Sequence, residues 1–415
     1  MLARILLATA VLAVSNAAYA GSKMHYTGTK LPPKMEWSAD YEIAVESRTF
    51  FEDAANPVQA DSDYSFVLEA EFSHDFKSGN GRAVIAPFAR WDSEDDERQH
   101  FDLREAYLNW YIGNWEVLAG VSKVFWGAVE SAHLVDVINQ TDQVESLDGE
   151  DKLGQPMVRV SWYTALGNFE AFVLPLFRER TFPGAEGRLR FEFGLPFDVD
   201  GAVYEDDDED KHIDYAFRYT NSFAGFDVGI GHFDGTGRDP RFIPNGAAPT
   251  AVLPFYEQIE QTSIDVTGQL GGWLLKAEGY RRKNSVETYG AFAAGFEYTL
   301  VGVMDSAVDV GLLAEYLRDT RDSAGALFQD DVFVGSRIAL NDVAGTEVLV
   351  GVVVDRENDS QLGLLEASRR LGDSGQLSLE FRQISGAPAT SGGMPNPGAA
   401  LNQDDHLVLE YRHFF

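Results

Sequence analysis

Ionisable side chains that could act on charged molecules are concentrated in two stretches of the 415-residue chain. The first, residues 127–156, is acidic, with seven carboxylates against one lysine, Lys152. Grouped carboxylates raise the local cation concentration and repel anions, so this stretch could form a cation-attracting constriction. Its apolar centre, residues 134–138, favours a loop packed against a protein wall, whereas the alternative is a solvated surface loop. The carboxylates are Glu130, Asp136, Asp142, Glu145, Asp148, Glu150 and Asp151.

The second stretch, residues 179–210, begins with arginines and ends with carboxylates. The arginines could line an opening opposite the acidic stretch, or they could form ion pairs within a surface loop. The acidic run 205–210 offers oxygen ligands of the kind that Ca²⁺ prefers, but it lacks the spaced Asp and Gly pattern of a calcium loop. We therefore expect no metal site. The arginines are Arg178, which immediately precedes the stretch, and Arg180, Arg188 and Arg190 within it.

The chain contains no pattern typical of a catalytic centre. Cysteine is absent, which excludes disulfide scaffolds, thiolate zinc sites and iron–sulfur clusters. The eight histidines are scattered, and neither His-Glu-x-x-His nor Gly-x-Ser-x-Gly occurs. We expect no catalytic residue, no cofactor and no enzymatic activity.

Polar and apolar residues alternate in a way that predicts β-strands as the elements that position the charged groups. The alternating runs are about 9 to 13 residues long, which is sufficient for a tilted strand to cross a bilayer. In residues 64–72 the even positions are apolar or aromatic, and most odd positions are Ser or Glu. Residues 158–162, 213–220 and 377–382 alternate similarly. Because no run of about 18 apolar residues exists, we expect no transmembrane helix.

Short and long connections alternate along the chain. Short turns at one end and long loops at the other are typical of an outer-membrane β-barrel, whereas alternation alone would also suit a soluble sandwich. We predict an all-β, transmembrane antiparallel β-barrel of about 18 strands, with 16 as the alternative, short periplasmic turns and long extracellular loops. The short turns are 112–114, 165–167, 270–272, 343–345 and 372–374. The long loops are 93–100, 127–156, 179–210, 235–255, 319–330 and 386–403.

Two segments, residues 82–91 and 101–111, alternate poorly and fit neither face of a strand well. A β-bulge would explain them, because one extra residue moves all later side chains to the other face. A wrong register would have the same effect.

The C-terminus resembles the closing strand of Gram-negative outer-membrane β-barrels. Every second residue before Phe415 is, in turn, His413, Tyr411, Leu409 and Leu407. The charged residues Arg412 and Glu410 lie between them. His413 departs from the usual aromatic residue. The resemblance implies that Tyr411 and Phe415 form the signal read by the barrel-insertion machinery.

Two internal motifs add to the resemblance. Residues 102–108, DLREAYL, look like a strand found in many large porins. Trp126-Gly127, followed by Asn139 and Asp142, is similar to the start of a long loop in porin-like barrels. In general-diffusion porins the third long loop folds inward, so the resemblance implies an inward fold for residues 127–156.

In a barrel the alternation assigns mid-strand charges to the lumen. A lipid-facing Arg or Lys costs roughly 2–4 kcal/mol at the membrane midplane. A barrel of about 18 strands is also too wide for its wall side chains to fill, so the lumen holds water or folded loops. The residues expected to face inward are Glu42, Glu46, Arg48, Glu69, Glu71, Arg159, Asp214, Arg218, Lys276, Glu278, Arg282, Asp309, Glu315, Arg337, Glu380, Arg382, Glu410 and Arg412.

Net charge and the N-terminus indicate the location. The formal charge of −33 argues against nucleic-acid binding, which needs a basic face. Residues 1–20 have the basic start, apolar run and Ala-Tyr-Ala end of a secretory signal peptide. We expect a signal peptide in 1–20, a periplasmic tail in 21–39 and an outer-membrane barrel in 40–415.

These features predict a porin-like channel for passive or weakly selective uptake of small polar solutes, with a preference for cations. Residues 127–156, with Arg178 and Arg180, are the candidate constriction. The alternatives are a closed-lumen transporter of hydrophobic molecules, a barrel enzyme or a surface scaffold. Expected partners are outer-membrane lipid and lipopolysaccharide, the insertion machinery and small polar solutes, with a homotrimer or a monomer as the assembly.

Overall fold

A computed structural model of the chain describes residues 37–76, 79–321, 328–358, 360–391 and 394–415. The predicted signal peptide, 1–20, and most of the predicted tail, 21–39, lie outside the described residues. The first strand begins at Ser38, two residues before the predicted start of the barrel. In the part of the chain that is described, no helix has the length and apolar composition to cross a membrane.

Strands make up most of the described chain, and the four helices are short 3-10 turns. In chain order the strands are β1 (Ser38–Phe50), β2 (Ser62–Asp75), β3 (Gly81–Asp92), β4 (His100–Ile112), β5 (Trp115–Ser122), β6 (Gln155–Thr164), β7 (Gly167–Leu174), β8 (Val203–Tyr204), β9 (Asp214–Phe223), β10 (Phe226–Thr236), β11 (Arg241–Pro244), β12 (Val252–Tyr256), β13 (Gln258–Leu270), β14 (Trp273–Lys283), β15 (Thr288–Leu300), β16 (Asp309–Asp319), β17 (Asp330–Ala339), β18 (Glu347–Asp355), β19 (Gln361–Leu371), β20 (Gly375–Ser385), β21 (Thr390–Ser391), β22 (Met394–Pro395) and β23 (His406–Phe414). The 3-10 turns are Asp96–Arg98, Glu209–Lys211, Val303–Asp305 and Pro397–Gln403.

Eighteen of the strands form one closed antiparallel sheet. Each pairs with the next barrel strand along the chain, and β1 pairs with β23 to close the barrel, with Glu46 opposite Glu410. Closure pairs the backbone groups of both edges, which lipid cannot do. The prediction of an all-β barrel of about 18 strands is confirmed, and the alternative of 16 strands is wrong. The short strands β8, β11 and β12 form a separate sheet, and β21 pairs with β22.

The two ends of the barrel differ as predicted. One end, the turn end, carries short connections such as 113–114, 165–166, 224–225, 271–272 and 372–374. The other, the loop end, carries the long connections. Those used below are loop 1 (51–61), loop 2 (93–99), loop 3 (123–154), loop 4 (175–213), loop 5 (237–257) and loop 9 (386–405).

The outer face of the barrel is apolar and aromatic. Phe217 and Val334 are 60% and 53% exposed, although both belong to residue types that normally avoid water. Near the turn end the Trp115 and Trp162 rings stack at 5.2 Å, and Phe169 and Tyr219 continue the row at 5.0 Å. A continuous apolar face flanked by aromatic rings fits a hydrocarbon layer between two interfaces.

A β-bulge in β4 explains the poor alternation of residues 101–111. Ala86 pairs with Glu105 but Pro87 pairs with Leu103, so the register skips Arg104. Both Arg104 and Glu105 therefore face the inside of the barrel, whereas two successive residues of a regular strand face opposite sides. The predicted possibility of a bulge is confirmed for residues 101–111, whereas β3 is regular and residues 82–91 alternate poorly because Val84 and Phe88 are apolar residues on its inward face.

Candidate pore constriction

Loop 3 lies inside the barrel, and its apolar centre forms a core there. Val135 and Ile138 are fully buried, and they pack with Trp126 and wall residues of β5, β6, β7, β9, β10 and β13. The Trp126 ring meets Phe172 of β7 edge to face, with centroids 5.8 Å apart. Fully burying a large aliphatic side chain contributes about 1.5–3 kcal/mol, so this packing holds the loop in the lumen.

Two carboxylates of the wall bind the backbone of loop 3. Glu278 of β14 and Glu315 of β16 both point inward, and each accepts several hydrogen bonds from the loop. The amides that donate to Glu278 belong to Ala128, Val129 and Leu134, at 2.6, 3.3 and 2.7 Å. Those that donate to Glu315 belong to Glu130 and Ser131, both at 2.9 Å. Hydrogen bonds to an ionised acceptor are about twice as strong as neutral ones, so the two residues fix the curled segment to the wall.

Glu130 links the same segment to wall cations. Its carboxylate lies 2.7 Å from Nη2 of Arg337 in β17 and 3.3 Å from Nζ of Lys276 in β14. Arg337 also lies 3.9 Å from Glu297 of β15. The predicted constriction residue Glu130 and the predicted lumen residues Lys276 and Arg337 are therefore brought together as one ion-paired group.

The neck of loop 3 is closed by Asn139. This side chain is fully buried, and its Oδ1 accepts from the Val124 amide at 2.8 Å. Its Nδ2 donates to the carbonyls of Ser122 and Leu153, both at 2.9 Å. The incoming and outgoing chains are thereby joined at the wall, which turns residues 124–153 into a closed lobe.

The arginine of the β4 bulge binds the loop just after this neck. Arg104 Nη1 lies 2.5 Å from Oδ2 of Asp142, and Thr181 of loop 4 donates to the other oxygen at 2.6 Å. The two segments that are similar to porin motifs, residues 102–108 and the Trp126-to-Asp142 segment, thus meet in one buried ion pair. The bulge is necessary for this contact because it turns Arg104 inward.

The other acidic residues of loop 3 lie in different surroundings. Glu145 binds Arg90 of β3 at 2.6 Å, and Asp136 binds Lys152 of the same loop at 3.2 Å. Glu150 is the most exposed, with 46% of its side chain accessible, and Asp151 is buried. The carboxylates therefore form ion pairs with the wall and within the loop, and do not make a ring of free charges.

Two wall arginines are each shared by three carboxylates. The Arg382 cluster comprises Arg382 of β20 with Glu366, Glu380 and Asp148, at 2.7, 2.8 and 3.2 Å. The Arg412 cluster comprises Arg412 of β23 with Glu42, Glu69 and Glu410, at 2.8, 3.0 and 3.1 Å. In each cluster one positive charge faces three negative ones, so the wall keeps an excess of negative charge.

Most of the remaining residues that were expected in the lumen are also ion-paired, whereas Asp309 accepts hydrogen bonds from the Gly302 amide at 2.8 Å and from Asn341 at 2.9 Å. Arg218 of β9 binds Asp265 at 2.7 Å and lies over the Trp126 ring. The other pairs are Arg159 with Glu116 at 2.7 Å, Glu71 with Arg82 at 3.3 Å, and Arg48 with Glu46 at 3.6 Å. These ion pairs lie within one strand, between neighbouring strands or across one intervening strand, and they leave few of these wall charges free.

Arg178 and Arg180 lie beside loop 3, on the same side of the lumen as its neck. Arg178 donates to the Gly154 carbonyl at 2.9 Å and to Asp102 at 2.8 Å. Arg180 donates to Gln140 of loop 3 at 3.3 Å and binds Asp239 of loop 5 at 2.6 Å. Arg282 of β14 reaches the second oxygen of Asp239 at 3.3 Å. The arginines thus connect loops 3, 4 and 5.

Loop 4 crosses the loop end as a strap that the sequence analysis did not predict. It leaves from β7 and returns to β9, yet Arg188 at its middle binds loops 1 and 9 on the far side. Arg188 contacts Asp404 at 2.9 Å, Asp61 at 3.1 Å and the Gln403 carbonyl at 2.6 Å. The Gly184 amide also donates to Asp95 of loop 2 at 3.0 Å. Such partners are distant in sequence, so only the folded chain reveals them.

No known protein family matches the chain, and no curated protein sequence matches it. Solved structures do. Pseudomonas aeruginosa OccK3 (OpdO) covers 91% of this chain and 96% of its own length at 9% identity, with a TM-score of 0.52. A loop-deletion mutant of the Vibrio cholerae outer-membrane protein OmpT covers 92% and 99% at 10% identity and TM-score 0.44. A mutant of the Rh. blastica porin covers 92% and 100% at 11% identity and TM-score 0.47.

The similarity to OccK3, together with the closed barrel of 18 strands, identifies the fold as that of the outer-membrane porins. The chain is an outer-membrane β-barrel, and its closed sheet and apolar outer face are those of a barrel that spans a membrane. The resemblance noted in the sequence is confirmed at this level. Identities near 10% identify the fold alone, and the activity has to be argued from the lumen.

Proposed function

We propose that the chain is a channel for small polar solutes and that loop 3 sets its aperture. The observation that carries the proposal is the binding of loop 3 amides by Glu278 and Glu315 inside the barrel. An 18-strand barrel is too wide for wall side chains to fill, so a loop fixed across the lumen determines what passes. The buried core around Val135 and Ile138 removes part of the lumen cross-section from water.

The proposed preference is for cations. It is supported by the Arg382 and Arg412 clusters, in which three carboxylates share one guanidinium. It is also supported by the formal charge of −33. A negatively charged wall concentrates cations and lowers the concentration of anions near it, and the effect weakens as salt screens the charges.

The test is single-channel recording of the refolded chain in a planar bilayer under a salt gradient. Discrete steps with a cation-selective reversal potential are the expected result. Folded protein that produces no steps would contradict the open channel, and an anion-selective reversal potential would contradict the charge argument. The folded state is checked by the shift in electrophoretic mobility on heating.

A closed-lumen transporter of hydrophobic molecules is the second candidate, because part of the inner wall is apolar. Leu313, Leu317, Phe333, Leu349 and Val353 face inward on β16, β17 and β18 and pack against Val129 and Ala132 of loop 3. Uptake of an apolar dye into vesicles by a chain that does not conduct ions would support this function. Conductance without dye uptake would exclude it.

For the barrel-insertion machinery we propose the C-terminal signal expected from the sequence. Tyr411 lies on the outer face of β23, and Phe415 follows that strand at the turn end, where 67% of it is exposed. Both rings are therefore accessible at the closing edge of the barrel. Tyr411→Ser with Phe415→Ser should reduce insertion in cells without preventing refolding in detergent, and equal insertion would contradict the assignment.

A further inference from the structure

Two cations on the outer wall have no ionic partner in the part of the chain that the structure describes. Arg281 and Lys283 occupy successive outward positions of β14, because Lys276, Glu278 and Arg282 face inward. Both are exposed, and no carboxylate of the described residues lies within 4.0 Å of either. Most arginines of the barrel strands are ion-paired.

An outward arginine two strands away provides the contrast. Arg318 of β16 binds Asp330 at 3.2 Å and Glu357 at 3.5 Å. Lys283 stands opposite Glu260 in the register of β13 and β14, yet the two side chains form no ion pair. Glu260 is therefore the cross-strand neighbour of Lys283, and its carboxylate lies more than 4.0 Å from the Lys283 ammonium.

The two cations stand where the apolar face of the barrel ends. Arg281 lies opposite Thr262 of β13, whose hydroxyl is 2.9 Å from Nδ1 of His232 in β10. One row nearer the turn end, the outward residues are apolar and exposed. They are Ile230, Ile264 and Phe292, at 45%, 48% and 46%. A polar notch made of His232, Thr262, Arg281 and Lys283 thus borders the hydrocarbon band on its loop-end side.

Space is available beside Arg281. Its neighbour on β15 is Gly290, which presents no side chain, and the next outward neighbour is Thr320. A planar guanidinium with free donors at this depth is matched by a tetrahedral anion that binds it through two oxygens. A lipid-facing Arg costs roughly 2–4 kcal/mol at the membrane midplane, and this cost falls toward the interface. The interface is therefore the favoured depth for Arg281, and the lipid headgroups are the partners available there.

We propose that the polar notch binds a phosphate of a membrane glycolipid, the lipid A part of lipopolysaccharide, in the leaflet at the loop end. Arg281 and Lys283 supply the positive charge, and Thr262 and His232 supply further hydrogen bonds. The acyl chains lie along the apolar residues below the notch. The site rests on the membrane placement of the barrel and is independent of whether the lumen conducts.

The test measures lipid binding to the full chain in detergent by native mass spectrometry. The probes are bisphosphorylated lipid A, its monophosphoryl form and zwitterionic phosphatidylethanolamine. The test variant is Arg281→Gln with Lys283→Gln. The matched control is Arg369→Gln, which changes an exposed outward arginine near the turn end of β19 that also lacks an ion pair in the described chain.

Wild type should bind bisphosphorylated lipid A best and phosphatidylethanolamine least. The double variant should lose about tenfold in lipid A affinity, as expected for loss of charge-assisted hydrogen bonds, and the control should not change. Equal lipid A binding by wild type and double variant would overturn the proposal, as would equal binding of phosphatidylethanolamine. If the double variant fails to refold, the same comparison uses Arg281→Lys, which should keep part of the affinity.

Discussion

Loops 3 and 4 both reach across the barrel, but they are attached to different kinds of structure. Loop 3 is bound by strand residues such as Glu278, Glu315 and Arg104, which the closed sheet holds in place. Loop 4 is bound mainly by other loops, through Arg188 and Gly184. Segments attached to loops open locally at lower free energy than segments attached to a sheet. We therefore expect loop 3, the proposed constriction, to be held more firmly than the loop 4 strap.

Removing both wall anchors of loop 3 should have the largest effect. Glu278→Ala with Glu315→Ala leaves several loop amides without acceptors, and an unsatisfied buried donor costs about 1–3 kcal/mol. We expect loop 3 to leave its position and the single-channel conductance to rise about twofold or more, with noisier steps. The matched control is Glu71→Ala, which removes a wall carboxylate that binds Arg82 instead. Unchanged conductance in the double variant would contradict the fixed constriction.

Breaking the strap should have a smaller effect on conductance and a larger one on protease sensitivity. Arg188→Ala removes the contacts to Asp404, Asp61 and two loop carbonyls, together with the packing of the guanidinium over the Phe50 ring at the last residue of β1. We expect faster proteolytic cleavage within 175–213 at unchanged resistance of the barrel. Arg190→Ala is the control, since Arg190 pairs only with Glu192 of its own loop among the described residues. Cleavage at the wild-type rate would show that Arg188 does not hold the strap.

The strap should also respond to pH through Asp404. Burial raises the pKa of Asp404 to about 6, although Arg188 opposes the rise. The ordinary pKa of an aspartic acid side chain is about 3.9. Asp404 therefore binds its proton more tightly when the strap is closed than when it is open. Protonation therefore stabilises closure, fully below about pH 4, and this contribution is lost as the pH rises through about 6. Asp405 and Glu192 add negative charge that favours the same proton uptake.

Cleavage of loop 4 is the measurement for this dependence. It should be severalfold slower at pH 5 than at pH 7.5 after correction for the pH dependence of the protease. Asp404→Asn, which stays neutral and keeps a hydrogen-bonding group, should remove the difference. A wild-type cleavage rate that is equal at both pH values would exclude Asp404 as the titrating group.

The inner face of the barrel was predictable, whereas the attachment of the loops was not. Strict alternation predicts that Glu278 and Arg337 point inward, because a strand has only two faces. Glu278 accepts a hydrogen bond from the amide of Ala128, which is 150 residues away in the sequence. No local sequence pattern predicts such a contact. Arg188 and Asp404 are 216 residues apart. The β4 bulge was foreseeable only as poor alternation, since one extra residue leaves no other mark in the sequence.

Charge changes should have the smallest effects of those predicted here, and they concern ion selectivity. Removing a charge from loop 3 should alter selectivity more than removing one from the strap. Glu130→Gln leaves Lys276 and Arg337 without their loop partner, so two positive charges are exposed to the lumen. We expect the cation-to-anion permeability ratio to fall by roughly twofold, because the lost negative charge no longer attracts cations to this narrow part of the lumen. Glu192→Gln on the strap is the control, because its carboxylate lies at the wide mouth. A larger shift from Glu192 than from Glu130 would place the selective region at the mouth and reverse the roles assigned to the two loops.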